Sequence, residues 1–292
     1  MSQNPSSYAL RQQLSIGNVV NVSFHLYRAH LKLYSKLALT AHLWLFVPIY
    51  GWAKFYAISA LISRLAFNEL SCQQESISAV RNPINRQMWN FLVTAILVII
   101  ISLLGMFMLL IFFSLVGRLL IALLTSILGY SPVTSSGELF KDWLYTGIVM
   151  PFAIAVCLSP LWFYSRFFII DLILLREGKI SSLRAIDQSW ELTKGFRNRL
   201  IGIIILSFLV TFPMLIIVWE GLNRVLSFIS YNILRHYITN HSVRVTLLII
   251  TLTLVTGVII MPFWQTIKAV AYYDICSRRE GLDLKLRDSL SR

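Results

Sequence analysis

Residues 87–117 read QMWNFLVTAILVIIISLLGMFMLLIFFSLVG, with no charged side chain between Arg86 and Arg118. A helix needs about 20 residues to cross the ~30 Å hydrocarbon core of a bilayer, so this run has length to spare. Three more stretches between consecutive charges are long enough: 143–165, 200–219 and 245–267. Lipid offers the backbone no hydrogen-bond partner, so a spanning segment must be a helix or part of a closed barrel. The alternation that barrel strands require is missing, which leaves helices.

Composition agrees. Of 292 residues, 57% are hydrophobic and 13% charged, whereas a soluble domain carries roughly 25% charged residues. The charges are lopsided, 26 basic against 13 acidic for a net +13, with mean hydropathy +0.71 and a pI near 9.9. A nucleic-acid binder would concentrate its basic residues in a soluble patch, and no long hydrophilic stretch exists to hold one.

The N-terminal third reads less plainly. Residues 37–53 are uncharged, but 55–70 is interrupted by Arg64 and Glu69, and Pro48-Ile49-Tyr50-Gly51 sits between the two as a turn. This predicts two short spans, roughly 33–49 and 51–69, and six in total; the alternative is one span over 37–69. With six, both termini share a side. Most basic residues then fall in the N-terminal segment, the 64–90 region, the 176–199 loop and the C-terminal tail, against Lys54, Arg118, Lys141, Arg224, Arg235 and Arg244 on the opposite connections. That bias predicts cytoplasmic termini. Residues 1–16 lack the apolar core of a cleavable signal peptide, so insertion is expected to start from the first hairpin.

An internal repeat organises the spans. Arg64, Arg166 and Lys268 stand 102 apart, and each precedes an acid: Glu69, Asp171 and Asp274. Cys72 and Cys276 are 204 apart; Pro160-Leu161-Trp162 matches Pro262-Phe263-Trp264; Arg176-Glu177-Gly178 returns as Arg279-Glu280-Gly281. The expectation is one all-α integral membrane domain over 1–292. It comprises three repeated hairpins of two spans (about 15–72, 73–176 and 177–280), each preceded by a cytoplasmic amphipathic helix, and a cytoplasmic tail at 281–292.

Among the amphipathic segments, 181–195 is best defined. Ser181 or Ser182 suits its start and Gly195 a left-handed end. Leu183, Ile186 and Trp190 recur on one face. With Arg184, Lys194, Arg197 and Arg199 alongside, such a helix suits the headgroup level over anionic lipid on the cytoplasmic side; bracing of the hairpins is the alternative. Residues 15–29 carry a similar stripe of Ile16, Val19, Val20, Phe24 and Tyr27, and 76–90 is a poorer copy broken by Pro83.

Gly178-Lys179-Ile180-Ser181, followed by Ala185-Ile186-Asp187-Gln188-Ser189-Trp190-Glu191-Leu192-Thr193-Lys194-Gly195, resembles the signature of a bacterial family: the membrane domain attached to some glycerophosphodiester phosphodiesterases, and its stand-alone relatives. Leu14-Ser15-Ile16-Gly17 is similar to the family's start, and Tyr272-Tyr273-Asp274 with Arg279-Glu280-Gly281-Leu282-Asp283-Leu284 to its end, although Ile275-Cys276 departs from the usual residues there. The resemblance covers about 14–287. It implies a polytopic helical fold in a bacterial inner membrane, without the phosphodiesterase domain, and it brings no catalytic residue.

Ionisable residues inside spans are functional candidates by default. Arg64, Arg166 and Lys268, with Asp171 and Asp274, suit either a lipid-headgroup site or structural ion pairs near the cytoplasmic ends, where long side chains can also snorkel to the interface. An acid five residues after its cation lies on another helical face, so pairing within one helix is poor. His25, His30, His42, His236 and His241 have no metal-ligand spacing and read as interface or loop residues. No catalytic set, metal site or cofactor motif is apparent. The expected function is a non-enzymatic membrane scaffold or accessory protein working through anionic lipids and a membrane-protein partner or second copy, with no nucleic acid. The alternative is a lipid or amphiphile transporter or flippase.

Overall fold

The computed structural model describes residues 14–71, 76–127, 135–177, 180–234, 238 and 240–290. Of the residues named above, Cys72, Gly178, Lys179, Arg235 and His236 lie outside them. The described residues form α-helices and one π-helical turn, with no strand. In chain order the helices are α1 (Ile16–Ala29), α2 (Leu31–Trp44), α3 (Tyr50–Leu70), α4 (Ile77–Arg86), α5 (Met88–Ile127), α6 (Ser135–Phe167), α7 (Ile170–Glu177), α8 (Ser182–Thr193), α9 (Arg197–Ile229) and α10 (His241–Leu290).

Four segments are long and apolar enough to cross a membrane: Met88–Leu124, Met150–Arg176, Arg197–Asn232 and His241–Arg279. Each contains one of the uncharged stretches or most of it. Their outward surfaces carry Leu103, Phe107, Leu115, Leu209, Phe212 and Ile250, all exposed. Such a surface in water would far exceed the apolar patches soluble proteins tolerate, so the protein is membrane-embedded.

Local rules set the helix ends. Ser15 Oγ accepts from the Asn18 amide at 3.1 Å and Ser76 Oγ from the Ala79 amide at 3.3 Å, capping α1 and α4. After α8, Gly195 adopts φ +89°, the left-handed conformation that a residue without Cβ tolerates. Between α2 and α3 the chain reverses at Pro48–Tyr50. The Tyr50 amide donates to the Pro48 carbonyl at 2.7 Å, and Ile49 is held at φ 61°, ψ −67°, a γ-turn of the rarer, strained hand. The turn expected at 48–51 is therefore present, and it separates two helices rather than interrupting one.

One expectation needs correction. Pro83 does not break the segment at 76–90, because α4 runs through it; the cost is one backbone hydrogen bond, since proline has no N–H to give the Ala79 carbonyl. The last helix, α10, runs on to Leu290. Residues 118–127 and 221–229 continue α5 and α9 without a break.

The chain forms two compact units, Met1–Thr94 with Phe168–Arg292, and Ala95–Phe167. In the second, Phe113 stacks on Phe152 with centroids 5.0 Å apart, and the Phe163 ring lies against Gly105. In the first, α3 is the central helix: Ala57, Ala60, Leu61, Ile62 and Ala66 are buried, and α2, α4, α7 and α10 pack around it. The small residues allow close helix approach. Polar groups tie α3 to α10, Ser63 Oγ donating to Gln265 Oε1 at 2.6 Å and Gln265 Nε2 to Ser59 Oγ at 2.5 Å. Further along both helices Phe67 meets Tyr272, centroids 5.4 Å apart, so the two run parallel.

Candidate functional site

Most of the charges singled out from the sequence meet groups on other elements. Lys268 Nζ, in α10, lies 2.6 Å from Asp171 Oδ2 at the start of α7. Both side chains are mostly buried, 16% and 22% exposed. Arg64 Nη1 donates to the Leu175 carbonyl at 2.8 Å, linking α3 to the same short helix. Glu69 meets His30 Nε2 at 2.7 Å. Arg166, in the second unit, stacks over Trp162 at 5.6 Å from the ring centroid, a cation–π contact.

Asp274 anchors a larger cluster. Its carboxylate, 2% exposed, lies 2.7 Å from Arg199 Nε and 3.1 Å from Arg278 Nε. Arg278 Nη2 also donates to the Leu14 carbonyl at 2.8 Å, and Arg199 donates to the same oxygen. One buried acid thus joins the start of α9, the lower part of α10 and the residue leading into α1. Charge-assisted bonds of this kind are the stronger ones, and the fixed guanidinium fork suits two acceptors at once. Close by, Arg279 Nη2 donates to the Glu191 carbonyl at the end of α8, at 2.7 Å. Arg199, read from the sequence as an interfacial residue, belongs to this cluster. Arg278 and Leu14 were not singled out as site residues; the i, i+4 spacing of Asp274 and Arg278 was the available signal.

The two amphipathic helices differ in what their stripes meet. In α1, Val19, Val20 and Tyr27 are buried; Tyr27 Oη donates to the Ile259 carbonyl at 3.0 Å, and burial pushes its phenol above the usual pKa. Thr266 Oγ1 donates to the Ser23 carbonyl at 3.2 Å. The stripe of α1 is a brace.

In α8 the buried residues are Ala185, Ser189 and Thr193, all fully enclosed, while Leu183 is 67% and Trp190 36% exposed. At about 100° per residue this helix has three faces. The small residues meet the protein; Ile186, Trp190 and Leu183 follow around the helix; Asp187, Glu191 and Arg184, all exposed, come next. Of the apolar stripe read from the sequence, Leu183 is the exposed member, Trp190 is partly covered and Ile186 is half-buried. Lys194 and Arg197, exposed, lie at its C-terminal end.

No family model, curated protein or solved structure matches the chain. The site must be read from its own geometry. Besides these clusters the first unit holds a cavity of about 230 Å³ between α3, α4 and α7. Arg64 and Gln87 form its polar wall; Val80, Pro83, Ile84 and Leu175 form the rest.

Proposed function

We propose that the chain is a non-enzymatic integral membrane scaffold or accessory protein acting through lipid and protein contacts. The observation that carries this reading is α8. Its packing face uses small residues and leaves Leu183 67% and Trp190 36% exposed, beside a charged face. A helix so divided is suited to lie along a membrane interface and to offer an apolar edge to lipid or to a partner. The interior charges support the same reading, since Arg64, Lys268, Asp171 and Asp274 all bond groups of the protein itself.

The test is a photo-cross-linking residue at 183, 190 or 185 in native membranes. Positions 183 and 190 should yield reproducible adducts with lipid or one defined protein, and 185 none outside the chain. Silence at both outward positions would refute the proposal.

The proposal includes six spans as three repeated hairpins, termini in the cytoplasm of a bacterial inner membrane, and kinship with the glycerophosphodiester phosphodiesterase membrane domains. Basic-residue bias supports the orientation. The α3–α10 bonds support the repeat, because Ser63–Gln265 and Ser59–Gln265 are separated by 202 and 206 residues, bracketing the 204 between Arg64 and Lys268. One observation opposes α3 as a full-depth span: polar α4 lies along it, with Lys54 Nζ donating to Asn85 Oδ1 at 3.1 Å.

A second reading, a lipid or amphiphile transporter or flippase, is favoured by the cavity beside Arg64. Under it, Arg64→Gln abolishes movement of a labelled phospholipid in proteoliposomes; no flux with the native protein removes it.

A further inference from the structure

A groove of about 200 Å³ opens outward between α2 and α10. Leu39 and Leu43 form one wall, and Leu254, Val255, Val258 and Ile259 the other. His42 lines it too, but its Nδ1 faces the Ala38 carbonyl at 2.8 Å and its Nε2 is turned toward Gly257. The groove therefore offers a ligand almost nothing but hydrocarbon. Its α10 wall falls inside the uncharged stretch 245–267, which the membrane reading puts among lipid chains. A void there would forfeit dispersion contacts along both walls, and the material at hand to fill it is an acyl chain.

The same stripe of α2 carries charge below the groove. At about 100° per residue, Lys32, Lys36, Leu39 and Leu43 fall within roughly 60° of one another. At about 1.5 Å per residue, Lys36 stands ~10 Å and Lys32 ~16 Å from Leu43 along the axis. Both lysines are exposed, and α2 contains no Asp or Glu. The neighbouring acid Glu69 is engaged by His30. An apolar slot leading down to two ammonium groups has the polarity of an anionic lipid: tail above, phosphate below.

We propose that the α2–α10 groove binds one acyl chain of an anionic glycerophospholipid whose headgroup rests on Lys32 and Lys36. This rests on the membrane reading above and names the lipid class for one of its contacts. The tail gives little selectivity, because it exchanges one hydrocarbon surrounding for another. Selectivity comes from the lysines, and two of them at a charged surface favour an anionic over a zwitterionic headgroup roughly thirtyfold.

The experiment is native mass spectrometry of the detergent-purified chain titrated with palmitoyl-oleoyl phosphatidylglycerol or phosphatidylcholine. The native protein should retain one phosphatidylglycerol at a concentration about thirtyfold below that needed for phosphatidylcholine. Lys32→Gln/Lys36→Gln should bring the two lipids level, and Lys32→Arg/Lys36→Arg should keep the preference. Val258→Trp, which fills the groove and leaves both lysines, should lose the bound phosphatidylglycerol. Equal retention of the two lipids by the native protein overturns the proposal even if a variant fails to fold. So does a preference that survives the double Gln variant, or full retention by Val258→Trp. A chain that stayed in solution without detergent would sink the membrane reading itself, whereas equal retention by an embedded chain sinks only this site.

Discussion

Asp274→Asn keeps the shape of the side chain and removes its charge, and so isolates what the carboxylate does. Asp274 is 2% exposed and serves Arg199 and Arg278, which are 19% and 17% exposed. Stripping one partner from a buried ion pair costs about 3–5 kcal/mol, because the remaining charge stays desolvated. Here the loss should fall somewhat below that range, about 2–3 kcal/mol, since both arginines keep the Leu14 carbonyl and some access to water. In a protein of this size that corresponds to a fall in Tm of about 5–10 °C. Thermal unfolding in one detergent, native and variant side by side, reads it. Hydrogen exchange over 16–29 should rise together with the global change, because the cluster holds the entry to α1. Adding Arg199→Gln to Asp274→Asn should cost much less than Arg199→Gln does alone. A Tm within about 1 °C of native, or two substitutions that simply add, would refute the assignment of these residues to one cluster.

Lys268→Met and Asp171→Asn should each lower stability by about 1–3 kcal/mol, and the double variant by less than their sum, as a thermal double-mutant cycle would reveal; strict additivity contradicts the pair. A Cβ on Gly257 would lie 2.3 Å from His42 Nε2, so Gly257→Ala should cost about 1–3 kcal/mol by overpacking. His42→Ala in the same chain should recover much of that, and an unchanged Tm for Gly257→Ala would be the contrary result. Ile49→Gly should raise stability by about 1 kcal/mol by relieving the strained γ-turn, read as a higher Tm; a lower Tm would show the turn to be unstrained.

Charge spacing made the long helices legible, because lipid excludes unpaired charge and so punctuates the sequence. The turn at 48–51 and Gly195 were legible for the same local reason: each rests on the conformational preference of a few adjacent residues. The partner of Asp171 was not, since Lys268 lies 97 residues away and nothing local selects it over Arg166. Periodicity marked the apolar stripe of α8 but not its packing face, because Ala185, Ser189 and Thr193, the residues it buries, are too small or too polar to stand out on a hydrophobic scale. His42, expected at an interface or in a loop, is buried on α2, because Gly257 makes room for an imidazole on the facing helix. Pro83 failed as a breaker because α4 loses only one hydrogen bond there.

The threading of the chain can be measured with two engineered cysteines, Phe46→Cys at the α2–α3 turn and Asp187→Cys on the charged face of α8, in a background with Cys72, Cys157 and Cys276 replaced by serine. A membrane-impermeant maleimide is applied to vesicles of each orientation. Three repeated hairpins predict that residue 187 reacts only from the cytoplasmic side and residue 46 only from the opposite one. Reaction of both from the same side, or an unreactive 46 in either orientation, would contradict the six-span account and leave the four long helices alone to cross the bilayer.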